Sequence, residues 1–114
     1  MTDVLSDAWI GQLVEASAAR TSERSGVVEL AIGKTKQARF EIADGRVVGP
    51  TEAEAGVRVP VTGKQLTALL DGEESLAQAF MRGDVKPEGA TGPLLALVEL
   101  FEDATFREQL AALA

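Results

Sequence analysis

The side chains that most often carry chemistry are missing from this chain. It has no His, no Cys and no Tyr. The usual general base, the usual metal ligand and both the Ser–His and Cys–His nucleophile pairs are therefore absent. Carboxylate neighbours remain, Glu73–Glu74 and Glu102–Asp103. Adjacent residues on a helix point about 100° apart, so such neighbours do not converge on one reacting atom. The plain reading of each is solvated helix-end charge, and only segments far apart in the chain could assemble an acid–base dyad. No Asp-x-Asp-x-Asp-Gly calcium loop occurs. The glycines stand singly at turns rather than in a phosphate-cradling cluster. No catalytic residue, metal site or cofactor is predicted.

What the chain does possess is apolar surface. After Gly92–Pro93, a helix start with proline at the first helical position, Leu94, Leu97, Val98 and Phe101 recur at helical spacing. Leu95 and Leu100 flank that stripe and widen it to roughly 200°, against the ~100° that one packed face needs. Only Glu99, Glu102 and Asp103 mark a wet side. The excess can be covered by the chain's own last helix, by a second subunit, or by a bound apolar molecule.

The third option has a mechanism. The 4 Phe and 1 Trp are the only aromatics, so an interior of small and branched side chains can stay hollow. An alkyl chain entering it gains ~0.8 kcal/mol per buried CH₂. About ten such groups supply roughly 8 kcal/mol gross, micromolar affinity before ordering costs. A wall of this kind discriminates poorly between homologues. It would comprise Trp9 and Leu13 from the first helix and Phe40 and Ile42 from the sheet. Leu70, Phe80 and Met81 would join from the central helices, and Leu97, Val98 and Phe101 from the late one. Core packing is the alternative for each, and the favoured one for Leu70 and Phe80. Met81 lies off the Leu76–Phe80 stripe and is flexible, which suits a cavity lining. Arg82 beside it could meet a ligand carboxylate, though solvent exposure is its plain reading.

The remaining elements exist to hold that wall. Residues 7–19 read as a helix with Trp9, Leu13 and Ala16 on one face and Ser6 or Asp7 as cap. Val28, Leu30 and Ile32 alternate with polar or small residues, as do Ala38, Phe40 and Ile42, so both runs are half-buried strands. Asp44–Gly45 is a two-residue hairpin signal leading into Val47–Val48. Residues 56–89 read as strand, helix, helix, strand. Val57, Val59 and Val61 alternate, Thr62 to Gln65 is a capping box, and Asp71–Gly72 stops the helix carrying Leu66, Leu69 and Leu70. Ser75 to Gln78 is a second capping box, Gly83 ends that helix, and residues 84–86 resume an extended run. Pro87 cannot donate to a ladder, so the last strand must be an edge or end there. Thr105 to Glu108 reads as a third capping box for a final helix over 105–114, with Phe106, Leu110 and Leu113 in line. No cap closes that helix, so its end is expected to fray.

The order Val-x-Val-x-Val, Leu66-x-x-Leu-Leu-Asp-Gly72, Ala77-x-Ala-Phe-Met-x-Gly83, then a short strand to Gly89 resembles the sterol carrier protein 2 family of small lipid-binding domains. The Asp44–Gly45 hairpin and the apolar helix after Gly92 also fall where that family has them. The resemblance covers roughly residues 8–103. It implies an α/β (α+β) fold in which a five-stranded mixed sheet carries helices on one face, as one domain over 1–114. It also implies non-enzymatic binding or transfer of a fatty acid, acyl ester or sterol. Two rivals stand beside it: a structural or dimerisation helper module with a filled core, and a small accessory enzyme acting on an apolar metabolite. The thin inventory of titratable groups counts against the enzyme.

Charge sets the partners. A formal net charge of −7 argues against nucleic acid and against strong adsorption to anionic membranes. No apolar run approaches the ~20 residues of a transmembrane span, so stable membrane insertion is not expected. The start, with Asp3 and Asp7, does not read as a signal peptide. The final Ala-Ala-Leu-Ala is not the peroxisomal Ser-Lys-Leu address that eukaryotic members of the resembled family often carry. A cytoplasmic, bacterial protein is expected, with an apolar small molecule as partner and a homodimer as a further option.

Overall fold

Period-two alternation builds the sheet as expected, and short helices close one side of it. The computed structural model describes residues 5–113. Helix α1 (Asp7–Ser17) begins where Ser6 is extended and its hydroxyl accepts the Trp9 N–H at 3.2 Å. Strands β1 (Gly26–Ile32), β2 (Lys36–Ala43) and β3 (Arg46–Pro50) follow as an antiparallel meander. The Asp44–Gly45 turn has φ of 53° and 81°, the paired positive values that a tight hairpin of matching twist requires. Strand β4 (Val57–Val61) then pairs parallel to β1, Leu30 opposite Val59. The sheet has 5 strands in the order β3-β2-β1-β4-β5 and is mixed, as expected.

Helix α2 (Gly63–Asp71) carries the complete capping box: the Thr62 hydroxyl accepts the Gln65 N–H, and the Gln65 side chain accepts the Thr62 N–H. Gly72 closes it in the left-handed conformation. Helix α3 (Leu76–Arg82) is capped by Ser75, whose hydroxyl accepts the Gln78 N–H and donates to the Glu102 carboxylate. Strand β5 is only Glu88–Gly89, at the sheet edge beside β4. The extended run expected over residues 84–86 is not a strand. The Asp84 and Val85 N–H groups are spent on the Ala79 carbonyl that ends α3, and Pro87 has none, so the ladder can start only at Glu88.

Helix α4 (Thr91–Glu102) crosses the sheet and starts two residues earlier than expected, with Pro93 third in its first turn, where no N–H partner exists to lose. Pro93 fits there because Gly26 and Gly56 lack side chains. A Cβ on either would lie 2.7 Å from the proline ring. Helix α5 (Ala104–Leu113) starts one residue earlier than expected. Asp103, rather than Thr105, caps it: its carboxylate accepts the Phe106 N–H at 3.0 Å, and a charged acceptor outcompetes a hydroxyl. Whether the helix frays at Ala114 lies outside the described residues.

The sheet faces differ in kind. Towards the helices lie Val28, Leu30, Phe40, Ile42, Val47, Val57, Val59 and Val61, one continuous core with the helical Leu and Phe side chains. On the other face Glu29 sits in register with Arg39 on β2 and Arg58 on β4, and Arg58 with Glu88 on β5. Glu29 meets Arg39 at 2.9 Å and Arg58 at 3.2 Å, and Arg58 meets Glu88 at 3.9 Å. These cross-strand pairs let that face stand in water and leave the apolar core on the helical side.

Candidate functional site

The candidate site is the interior between the sheet and α1 and α4. Trp9 and Leu13 reach it from α1, Phe40 and Ile42 from β2, Leu97 and Phe101 from α4. All are buried, Leu13, Phe40 and Leu97 completely. Val98 and Leu70 are partly buried against the same cluster. The structure thus brings together every expected wall residue except Phe80 and Met81, which are 46% and 82% exposed. The physical reason lies in α3. Leu76 and Ala79 take the inward face of this 7-residue helix, which leaves Phe80 and Met81 turned to solvent. Phe80 therefore contributes neither to the core, its favoured place from sequence, nor to a wall.

Helix α5 takes up much of the α4 excess. Phe106 is fully buried and stacks on Phe101 with ring centroids 6.5 Å apart, and Leu110 is buried beyond it. Sequence reasoning left Phe106 out of the wall, although its line with Leu110 and Leu113 marked a face needing cover. Leu113 itself stays 38% exposed. Polar groups inside are already spent. The Ser17 hydroxyl, completely buried, donates to the Leu13 carbonyl and accepts from the Val47 N–H, both at 2.8 Å. Among the described residues no buried side-chain polar atom lacks a partner.

Openings reach the core from outside. A crevice of about 160 Å³ between α2 and α3 has Leu69, Ala79 and Val85 as floor and Gln65, Glu74 and Asp84 at its rim. A wider groove of about 410 Å³ lies where α1 meets the ends of β2 and β3, with Leu5, Ile10 and Ala38 as floor. Gln37, Arg39, Thr51, Asp7 and Glu52 rim it. No sequence signal marked these rims, because each joins residues from distant segments.

Arg side chains tie the helical layer together. Arg20 reaches Glu99 at 3.0 Å, Asp103, and the Gly45 carbonyl at 2.8 Å, joining α4 and the β2–β3 turn to the end of α1. Arg82 bridges Glu74 and, at 3.0 Å, Asp84, strapping the two ends of α3. It does not face the interior, which places it away from any guest held there. No helix among the described residues is long and apolar enough to cross a membrane.

The fold is thus a mixed sheet with its helices on one side and an apolar interior between the two layers. The SCP-2 sterol transfer family matches residues 9–102, and the chain belongs to that family. The crystal structure of a sterol carrier protein 2 is similar at 21% identity, covering 93% of this chain and 98% of that one, with a TM-score of 0.66. A conserved hypothetical protein of Thermus thermophilus is similar at 19% identity over 100% of this chain and 92% of that one, TM-score 0.65. The palmitated sterol carrier protein 2-like 2 of Aedes aegypti is similar at 16% identity over 85% of this chain and 94% of that one, TM-score 0.59. At these identities the likenesses establish the fold. A comparison with curated protein sequences returns no match.

Proposed function

We propose that this chain is a non-enzymatic carrier that takes an apolar lipid, such as an acyl ester, a sterol or a fatty acid, into the interior between the sheet and α1 and α4. One observation carries the reading: in a member of the SCP-2 sterol transfer family, Trp9, Leu13, Phe40, Ile42, Leu97 and Phe101 converge on a single apolar interior. Its wall is completed by Val98 and Leu70. Phe80 and Met81 join only when α3 turns. The solved palmitated relative supports an acyl chain as the kind of guest. The wall residues pack in one buried cluster, so uptake moves some of them aside, and the gain of ~0.8 kcal/mol per buried CH₂ drives the exchange.

The burial of the wall residues in one cluster favours a second reading, a structural or dimerisation helper module whose core is filled by its own side chains. Native mass spectrometry of the purified protein separates the two and reads monomer against dimer in the same spectrum. The carrier reading expects an apolar adduct, or displacement of an uncharged naphthylamine dye by added lipid with micromolar affinity. A bare mass together with a dye that never partitions into the protein leaves the helper module. Turnover of the adduct on incubation would make the protein an enzyme instead.

A further inference from the structure

We infer that one end of this domain docks on an anionic membrane surface, with the last turn of α3 seated among the head groups and a row of lysines beside it. The inference concerns the outer surface and holds whatever fills the interior. Lys34, Lys36, Lys64 and Lys86 are all the lysines of the chain. They stand far apart in sequence, and the sheet gathers them. Lys34 lies in the β1–β2 turn, and Lys36 opens β2 opposite Ile32. Ile32 also lies opposite Val61, the last residue of β4, and Lys64 follows in the first turn of α2. Glu88 pairs antiparallel with Arg58, so Lys86, two residues earlier, lies towards the same end of β4. The Gln65 side chain ties that segment to α2 by donating to the Asp84 carbonyl at 3.1 Å. With strands ~4.8 Å apart, the row from β2 to β5 is about 15 Å long. Each of these lysines is exposed, and none has an ion pair among the described residues.

The same end carries the exposed apolar tip of α3. The Asp84 and Val85 N–H groups bond to the Ala79 carbonyl, which folds the segment leading to Lys86 back beside the last turn of the helix. Phe80 and Met81 protrude from that turn. A bilayer interface accepts both kinds of side chain: lysines reach the phosphates while the apolar groups enter the head-group boundary. A protein partner fits less well, because lysine is depleted at protein interfaces. The net charge of −7 limits the strength of docking without forbidding it. The domain measures 30 × 26 × 26 Å, well beyond the ~8 Å screening length at physiological salt, so acids at the opposite end of the sheet, such as Asp44 in the β2–β3 turn, are screened from a surface touching this one. The nearer carboxylates are Glu74 and Asp84, which hold Arg82 between them, and Asp7 and Glu52 beside the β2 end of the row. They keep the docking weak and salt-sensitive, so that it reverses.

The test is flotation of the full chain with vesicles at low salt. Vesicles of phosphatidylcholine mixed with phosphatidylglycerol are expected to carry the protein, vesicles of phosphatidylcholine alone are not, and added salt releases it. Lys64→Glu with Lys86→Glu should weaken binding by about twenty-five-fold or more, roughly fivefold for each lysine lost at the surface. Arg24→Glu with Arg46→Glu changes the net charge equally at the opposite end of the sheet and should weaken binding by no more than about threefold. Phe80→Ser with Met81→Ser should cost about tenfold. Urea unfolding midpoints show that each variant is folded. No binding to the mixed vesicles, equal binding to phosphatidylcholine alone, or equal losses from the two charge reversals overturns the inference. So does a double serine variant that binds like the parent. Retention on lipid-free heparin that needs Lys64 and Lys86, with vesicles ignored, also overturns it and marks a general polyanion site instead. Dye uptake without vesicles reads the carrier function separately, so either conclusion can fail alone.

Discussion

The two ends of the helical layer close the same interior by different means. Over α1 and α4, α5 is held by aromatic packing: Phe106 stacks on Phe101, Leu110 is buried, Asp103 caps the helix, and Arg107 donates to the Phe101 carbonyl at 3.1 Å. At the other end α3 buries only Leu76 and Ala79, leaves Phe80 and Met81 in solvent, and is strapped by the exposed Arg82 between Glu74 and Asp84. At about 25 cal/mol per Å² of apolar area, Phe plus Leu outweighs Leu plus Ala by roughly 2 kcal/mol, while exposed ion pairs return ~1 kcal/mol or less. The end inside the family-matched span is thus the weaker closure, and the stronger one, α5, lies beyond residue 102. Under the carrier reading, α3 is the end expected to open first, because its closure is charge rather than packing.

The largest expected effect tests the strong end. Phe106→Ala removes a fully buried ring and its stacking on Phe101, and is expected to cost about 3–5 kcal/mol in urea unfolding. A loss under about 1 kcal/mol would mean that α5 is not the tight closure and would erase the contrast. Next comes Arg20→Ala. Its side chain is only 12% exposed and serves Glu99, Asp103 and the Gly45 carbonyl, so removal is expected to cost about 2 kcal/mol. Because Asp103 also caps α5, amide exchange in α5 should speed up more than exchange in α3. Uniform acceleration would show that Arg20 stabilises the whole layer and not that end.

The same contrast separates what was readable from what was not. Elements were legible wherever a local rule decides them: the Thr62–Gln65 box, the left-handed Gly72 and Gly83, the Asp44–Gly45 turn, the valines of β4. The inward side of α1, β2 and α4 was legible for the same reason, since period and burial agree there. Competition between local signals was not legible. Thr105 reads as a cap, but Asp103 reaches the same helix end with a charge, and the Ala79 carbonyl takes the N–H groups that residues 84–85 need for a strand. Helix α3 misled most. Leu76, Ala79 and Phe80 share a stripe in projection, but a helix of 7 residues buries only what its neighbours leave room for, and Phe80 falls outside. Rims such as Glu74 with Asp84 belong to tertiary geometry alone.

A smaller effect tests the weak end. Arg82→Ala breaks the strap between Glu74 and Asp84, and both arginine and aspartate there are about half exposed, so stability should fall by less than about 1 kcal/mol. The loss should vanish near 1 M salt, where charges this exposed are screened. A larger, salt-insensitive loss would mean that Arg82 packs rather than pairs, and α3 would then resemble α5 in kind. Under the carrier reading the same variant should speed dye uptake at low salt, whereas Phe106→Ala acts on uptake at any salt.

The smallest change comes from Met81→Trp, which is also the sharpest. Met81 is 82% exposed, so the larger side chain meets solvent and stability should shift by no more than about 0.5 kcal/mol. Dye affinity should also hold within about twofold if the helix stays as described, because nothing at position 81 touches the interior. The indole adds a second outcome. Trp9 is buried and emits from an apolar site whether or not a guest is present, so a blue shift on adding dodecanol would come from position 81. That shift, with affinity lowered by the added bulk, would show α3 turning Met81 inward as the interior fills, and would make the weakly closed end the moving part. An unshifted spectrum during demonstrated uptake would assign the movement elsewhere, and the contrast between the two ends would then describe stability alone.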